Sequence, residues 1–117
     1  PRAVRPFVLA LALVPFAACA TQSVLQQSQR YEQVGDYRRA FRVLDEEREA
    51  QLRAGEPVPE ALEAAYQRSL LIYLRSRARM AIFGEREAEA LADLDRIAAI
   101  DPNYPEIDTL RQRAMQK

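Results

Sequence analysis

Histidine and tryptophan are absent from this chain of 117 residues, cysteine occurs once and glycine three times. Each scarcity excludes something. A single thiol forbids an internal disulfide, and without imidazole a zinc site would rest on carboxylates and that one sulfur, so no metal, cofactor or redox chemistry is expected. Ser69 and Ser76 have no histidine to act as a base. The carboxylates fall on charged stretches, whereas a general acid needs burial to raise its pKa. No catalytic residue emerges, and the chain is not expected to be an enzyme. An excess of one charge is missing too: 17 basic residues face 17 acidic ones. So balanced a chain lacks the electrostatic footprint of a phosphate-tracking protein, which excludes nucleic acid as a partner.

What is present is mostly alanine, leucine, glutamate, arginine and glutamine. These are good helix formers, and with few β-branched or aromatic residues beside them the expected fold class is all-α. The length allows a single small domain with one modest core.

Long hydrophobic runs are also lacking, apart from residues 7–16. That run is about half of the ~20 residues a membrane-crossing helix needs. It follows Pro1-Arg2-Ala3-Val4-Arg5-Pro6 and precedes Ala17-Ala18-Cys19-Ala20. A positive start, a short apolar core and a small-residue cleavage site are the parts of a secretory signal. The alternative, a buried first helix, sits less well with Pro6, Pro15 and the abrupt change to Thr21-Gln22-Ser23. Removal of Arg2 and Arg5 with the leader would leave the remainder slightly acidic.

Phe16-Ala17-Ala18-Cys19 resembles the bacterial lipobox, with phenylalanine where leucine is usual. The resemblance implies a signal peptide over 1–18, lipidation of Cys19, a lipid-anchored tether over 19–22 and a folded domain over 23–117. Several acyl chains would suffice for stable anchoring. Ala20, in place of aspartate, implies the outer membrane, facing the periplasm. Ala18-Cys19-Ala20 also fits an ordinary small-x-small cut that discards the cysteine, and both cuts stay open.

Beyond the leader, apolar residues recur at helical spacing, broken at Gly35, 55–59, Gly84 and 101–105. Five helices are expected. The first, 23–34, presents Val24, Leu25, Ser28 and Tyr31. The second, 36–54, presents Tyr37, Ala40, Phe41, Leu44 and Leu52, with Gly55 as a left-handed cap. The third, 59–83, carries Leu62, Tyr66, Leu70, Tyr73, Leu74 and Met80, and its Leu70-Leu71-Ile72-Tyr73-Leu74 segment should pack most deeply. The fourth, 85–100, uses Ala88, Leu91, Leu94 and Ala98. The last opens at Pro105 or Glu106 and is apolar on one face only, through Ile107, Leu110 and Ala114.

Tyr31, Gly35-Asp36-Tyr37, Ala40 and Leu44 resemble the tetratricopeptide repeat, a helix-turn-helix unit of about 34 residues. Gly84, Ala90, Leu94 and Ile100-Asp101-Pro102-Asn103-Tyr104-Pro105 resemble a second copy. There the turn lacks the aromatic, the spacing from Gly84 to Ala90 is one residue long, and the preceding helix is overlong. The resemblance implies a short α-solenoid of two repeats plus a C-terminal capping helix, with structural turns at Gly35, Gly55, Gly84 and Pro102. A generic helical bundle remains the alternative. Two repeats are fewer than a solenoid usually needs, so a cap, a longer chain or a homodimer would complete it.

Two clusters are candidate binding surfaces. Gln22, Gln26, Gln29 and Gln33 form a polar stripe along the first helix, which in this repeat family lines the concave face; the plain alternative is a solvated face. Arg68, Arg75 and Arg79 share a face of the third helix, with Arg77 nearby and no acidic residue three or four positions away. Either acidic neighbouring helices pair with them or a ligand does. Together these features point to a membrane-anchored periplasmic adaptor that docks protein partners of a cell-envelope assembly or secretion system. A helical carrier of a lipid or other apolar ligand, and an accessory fragment of a larger envelope protein, are the alternatives.

Overall fold

The computed structural model describes the backbone of residues 4–116 and the side chains of residues 19–116. The basic start at Arg2, the side chains of the leader and Lys117 lie outside the described residues. Among those described, the chain is helical without strands: α1 (Val4–Gln33), α2 (Tyr37–Arg53), α3 (Glu60–Phe83), α4 (Glu87–Ile100) and α5 (Ile107–Met115). The all-α expectation holds. Two compact units divide within α3, the first Pro1–Tyr66 and the second Gln67–Lys117.

In the first unit α1 and α2 form a helical hairpin. α1 begins well before residue 23 and runs without a break through the stretch read as a tether, where Thr21 is buried. Gly35 supplies the bend. At φ +78 it occupies the left-handed region that ends a helix, and the Gly35 and Asp36 N–H groups donate back to the Glu32 and Tyr31 carbonyls at 2.9 Å each. This double bond pattern is a Schellman motif, which satisfies carbonyls that would otherwise be orphaned. Asp36 then caps α2, its Oδ1 accepting from the Arg39 N–H at 3.1 Å. The two helices approach across small residues. Ser28 is buried and its hydroxyl donates to the Ala40 carbonyl at 2.8 Å, while Ala40 and Leu44 are fully buried.

Gly55 ends α2 by the same motif at φ +71, with Gly55 and Glu56 donating to Leu52 and Gln51. α3 then starts after Pro59, whose carbonyl accepts from Glu63. Arg48 ties the two helices: its Nε donates to Glu63 Oε2 at 2.8 Å and its guanidinium lies 4.6 Å from the Tyr66 ring centre, with Phe41 packed on the same ring at 5.3 Å. Leu62 is fully buried.

The second unit gathers the later part of α3 with α4 and α5. Leu74, Ala78, Leu94, Ile97, Ile107 and Leu110 form its core, with Leu70, Leu71 and Tyr104 packed against it. Within the apolar segment at 70–74 only Leu74 is wholly buried. Three residues expected inward face outward instead: Leu52 and Met80 are exposed, as is Ala88. Ala78, Ala81, Ala90 and Ile97 take the interior. A register that counts large side chains overlooks alanines, which sit where helices come closest.

The turn at Gly84 differs from the expected one. Gly84 is not left-handed; Glu85 is, at φ 58, and Glu85 and Arg86 donate to the Ile82 and Ala81 carbonyls. Glu85-Arg86 therefore stands in the register of Gly35-Asp36, and Ala90 follows Glu85 as Ala40 follows Gly35. The extra residue noted between Gly84 and Ala90 is this shift. Past α4, Asp101-Pro102-Asn103-Tyr104 closes a β-turn, with Tyr104 N–H donating to the Asp101 carbonyl and Asn103 N–H to its carboxylate. Proline at the second turn position stops the helix there.

Candidate groove of the first unit

A groove of about 870 Å³ opens in the first unit, within the size range of small-molecule and peptide pockets. α1 contributes Ala20, Thr21, Gln22, Leu25, Gln26 and Gln29; α2 contributes Glu47 and Gln51; the connection and the start of α3 contribute Glu56, Pro57, Pro59 and Ala61. Leu25, the two prolines and the alanines are its apolar members. Four glutamines and two glutamates are its polar ones.

The geometry follows from the hairpin. Residues 22, 26 and 29 lie on one face of a 3.6-residue helix, and the antiparallel return of α2 brings Gln51 alongside. Gln51 Nε2 donates to Glu47 Oε1 at 3.0 Å. The Arg48 pair with Glu63 ties α2 to the first turn of α3, beside the Pro57–Ala61 wall. That hydrogen bond also raises the Arg48 pKa, while burial of Asp45 and its neighbours Glu49 and Glu46 raise the pKa of that carboxyl.

Three members of the glutamine stripe thus share a groove; Gln33, at the turn end of α1, does not line it. Reading the sequence alone misses Glu47, Gln51 and Glu56. Gln51 lies four residues from Glu47 on α2, but only packing places them opposite α1.

The arginines of α3 are engaged within the second unit. Arg79 pairs with Glu106, Arg77 with Asp93 at 3.3 Å, and the Arg75 guanidinium lies 6.0 Å from the Tyr104 ring centre. Neighbouring elements supply counter-charges for Arg77 and Arg79, one of the two outcomes left open above. Arg68 is exposed and belongs to the same unit.

Cys19 is exposed and outside any disulfide, one residue before the first described lining residue, Ala20. Among the described residues no helix is long and apolar enough to cross a membrane, and no cluster of three or more acidic or sulfur side chains is placed to hold a metal. No family model, curated protein or solved structure matches the chain. Fold and groove together define its class: an all-helical protein with an amide-lined cleft at the end of a helical hairpin.

Proposed function

We propose that this protein is a lipid-anchored adaptor of the bacterial cell envelope, built on two tetratricopeptide-like helix pairs with α5 as a cap, which docks a protein partner in the first unit and catalyses nothing. The observation that carries the reading is the groove itself, where three glutamines of one helix line a cleft together with Leu25, Pro57 and Pro59. Primary amides can both donate and accept, which suits a peptide backbone. Every described lining residue follows Cys19, so a cut before that cysteine would keep all of them and hold them close to the anchor. The shared register of the Gly35 and Glu85 turns supports the repeat reading. The groove's titratable groups, Glu47 and Glu56, offer no nucleophile with a partnering base. Its amides and carboxylates suit polar contacts better than an acyl chain, which favours the adaptor over the carrier.

Intact-mass measurement on the protein isolated from its own membranes tests the anchor: a chain starting at Cys19 with acyl mass is expected, and one starting at Thr21 rules it out. A photo-crosslinking residue at Gln26 tests the docking, with the same residue at Arg38 as control. Protein adducts at Gln26 and none at Arg38 are expected; no adduct at Gln26 counts against the adaptor.

A further inference from the structure

The groove's lining is electrostatically one-sided. Its charged members are Glu47 and Glu56, and no lysine or arginine is among its described lining residues. Arg48, next in sequence to Glu47, is held away by Glu63 and the Tyr66 ring. An acidic segment entering here would meet like charge and find no cation among the described lining residues. A basic one would meet two carboxylates beside apolar side chains.

We propose that the occupant is an extended protein segment bearing an apolar side chain flanked by lysine or arginine, an inference that rests on the adaptor reading. Gln22 to Gln29 spans about 10 Å of helix at ~1.5 Å per residue. An extended chain covers that in about three residues at ~3.3 Å each. The amides of Gln22, Gln26 and Gln29 are therefore spaced to bond successive backbone groups of such a segment. Its apolar side chain rests on Leu25, Pro57 and Pro59, and its cation reaches Glu56 at the connection or Glu47 on α2. Direction and register are set by the carboxylates and the amides together.

The test uses the full chain in mild detergent and short fluorescent peptides sharing one leucine-proline anchor, flanked by arginine, serine or glutamate. The arginine peptide is expected to bind about tenfold more tightly than the serine one, a typical yield for one well-placed charge pair. That advantage should shrink as salt shortens the screening length. It should vanish in Glu47→Gln/Glu56→Gln, whose helical spectrum stays unchanged because both substitutions keep size, the first keeps helix propensity and the second lies between helices. Equal binding of arginine and serine peptides, tighter binding of the glutamate peptide, no binding of any, or displacement of all by a long-chain fatty acid would each overturn the proposal. The Gln26 crosslink separates the two levels. A protein captured there through an acidic or uncharged segment overturns the charge inference and leaves the adaptor standing; absence of any captured protein removes the adaptor as well.

Discussion

Glu85 and Gly35 do the same conformational task with different chemistry. Both sit in the left-handed region, at φ 58 and φ +78. Glycine has no Cβ to clash there, whereas an L-residue is strained by roughly 1–2 kcal/mol. Glu85→Gly is therefore expected to stabilise the protein by about 1 kcal/mol, read as a higher urea midpoint at unchanged slope. Gly35→Ala should cost about as much even though a Cβ there meets nothing within 4 Å, since the penalty lies in the backbone and not in space. An unchanged midpoint in both would contradict the assigned turn. Arg86, which caps α4 without a side-chain bond, contrasts with Asp36. Arg86→Asn should supply the missing cap while giving up the exposed Arg86–Glu89 pair, a net gain of under about 1 kcal/mol in the urea midpoint. Asp45 has an effect that depends on pH. Its pKa is raised by burial and by Glu49, so the folded chain holds that proton more tightly than the unfolded chain does. Its contribution is intact below the usual carboxylate range and is lost as pH rises through the raised pKa. Asp45→Asn should then stabilise slightly at neutral pH, by under about 0.5 kcal/mol because the site is largely solvent-screened, with the gain fading in acid. A gain that grows in acid would reverse the sign of this account.

Between elements, two ion pairs of different depth hold neighbouring helices. Asp93 is buried on α4 and Arg77 reaches it from α3 with half of its side chain in solvent. Removing the arginine strands a buried carboxylate, while removing the carboxylate lets the arginine turn to water. Arg77→Ala should cost about 1–3 kcal/mol and Asp93→Asn markedly less, a difference that thermal unfolding of both variants would read. Equal losses would mean that the pair, and not the desolvated carboxylate, sets the energy. Arg48 acts otherwise, on a partly exposed surface. Arg48→Ala should lose only about 1 kcal/mol. Because it frees the start of α3, it should also weaken peptide binding in the groove. Leu44 and Leu94 occupy matching, fully buried places on α2 and α4. Truncating either to alanine should cost about 2–5 kcal/mol by leaving a cavity.

For the whole molecule, charge balance is the governing quantity. A formal net charge of +0 at pH 7 leaves little mutual repulsion between copies. Phe83, 89 % exposed, and Met80, one turn before it on α3, add an apolar surface in the second unit. The full chain is therefore expected to be least soluble near neutral pH and to become more soluble on either side, as turbidity against pH would show. Solubility that is flat across that range would separate its aggregation behaviour from net charge.

Helical periodicity and turn residues alone determined the all-α class, the last four helices to within a few residues, the end though not the start of α1, and the bends at Gly35 and Gly55, because these are local matters of propensity and backbone freedom. The inward face of α5 was legible for the same reason, its apolar residues all lying on one side. Packing decided the rest. A left-handed Glu85 closes the turn between α3 and α4, which no propensity for glutamate would foretell. The interior belongs to Ala78, Ala81 and Ala90 because helices touch most closely where side chains are smallest. A glutamine stripe became the wall of a groove when the hairpin and the Arg48 clasp set Glu47, Gln51 and Glu56 against it, and proximity between residues distant in the chain is not encoded in any one helix's pattern.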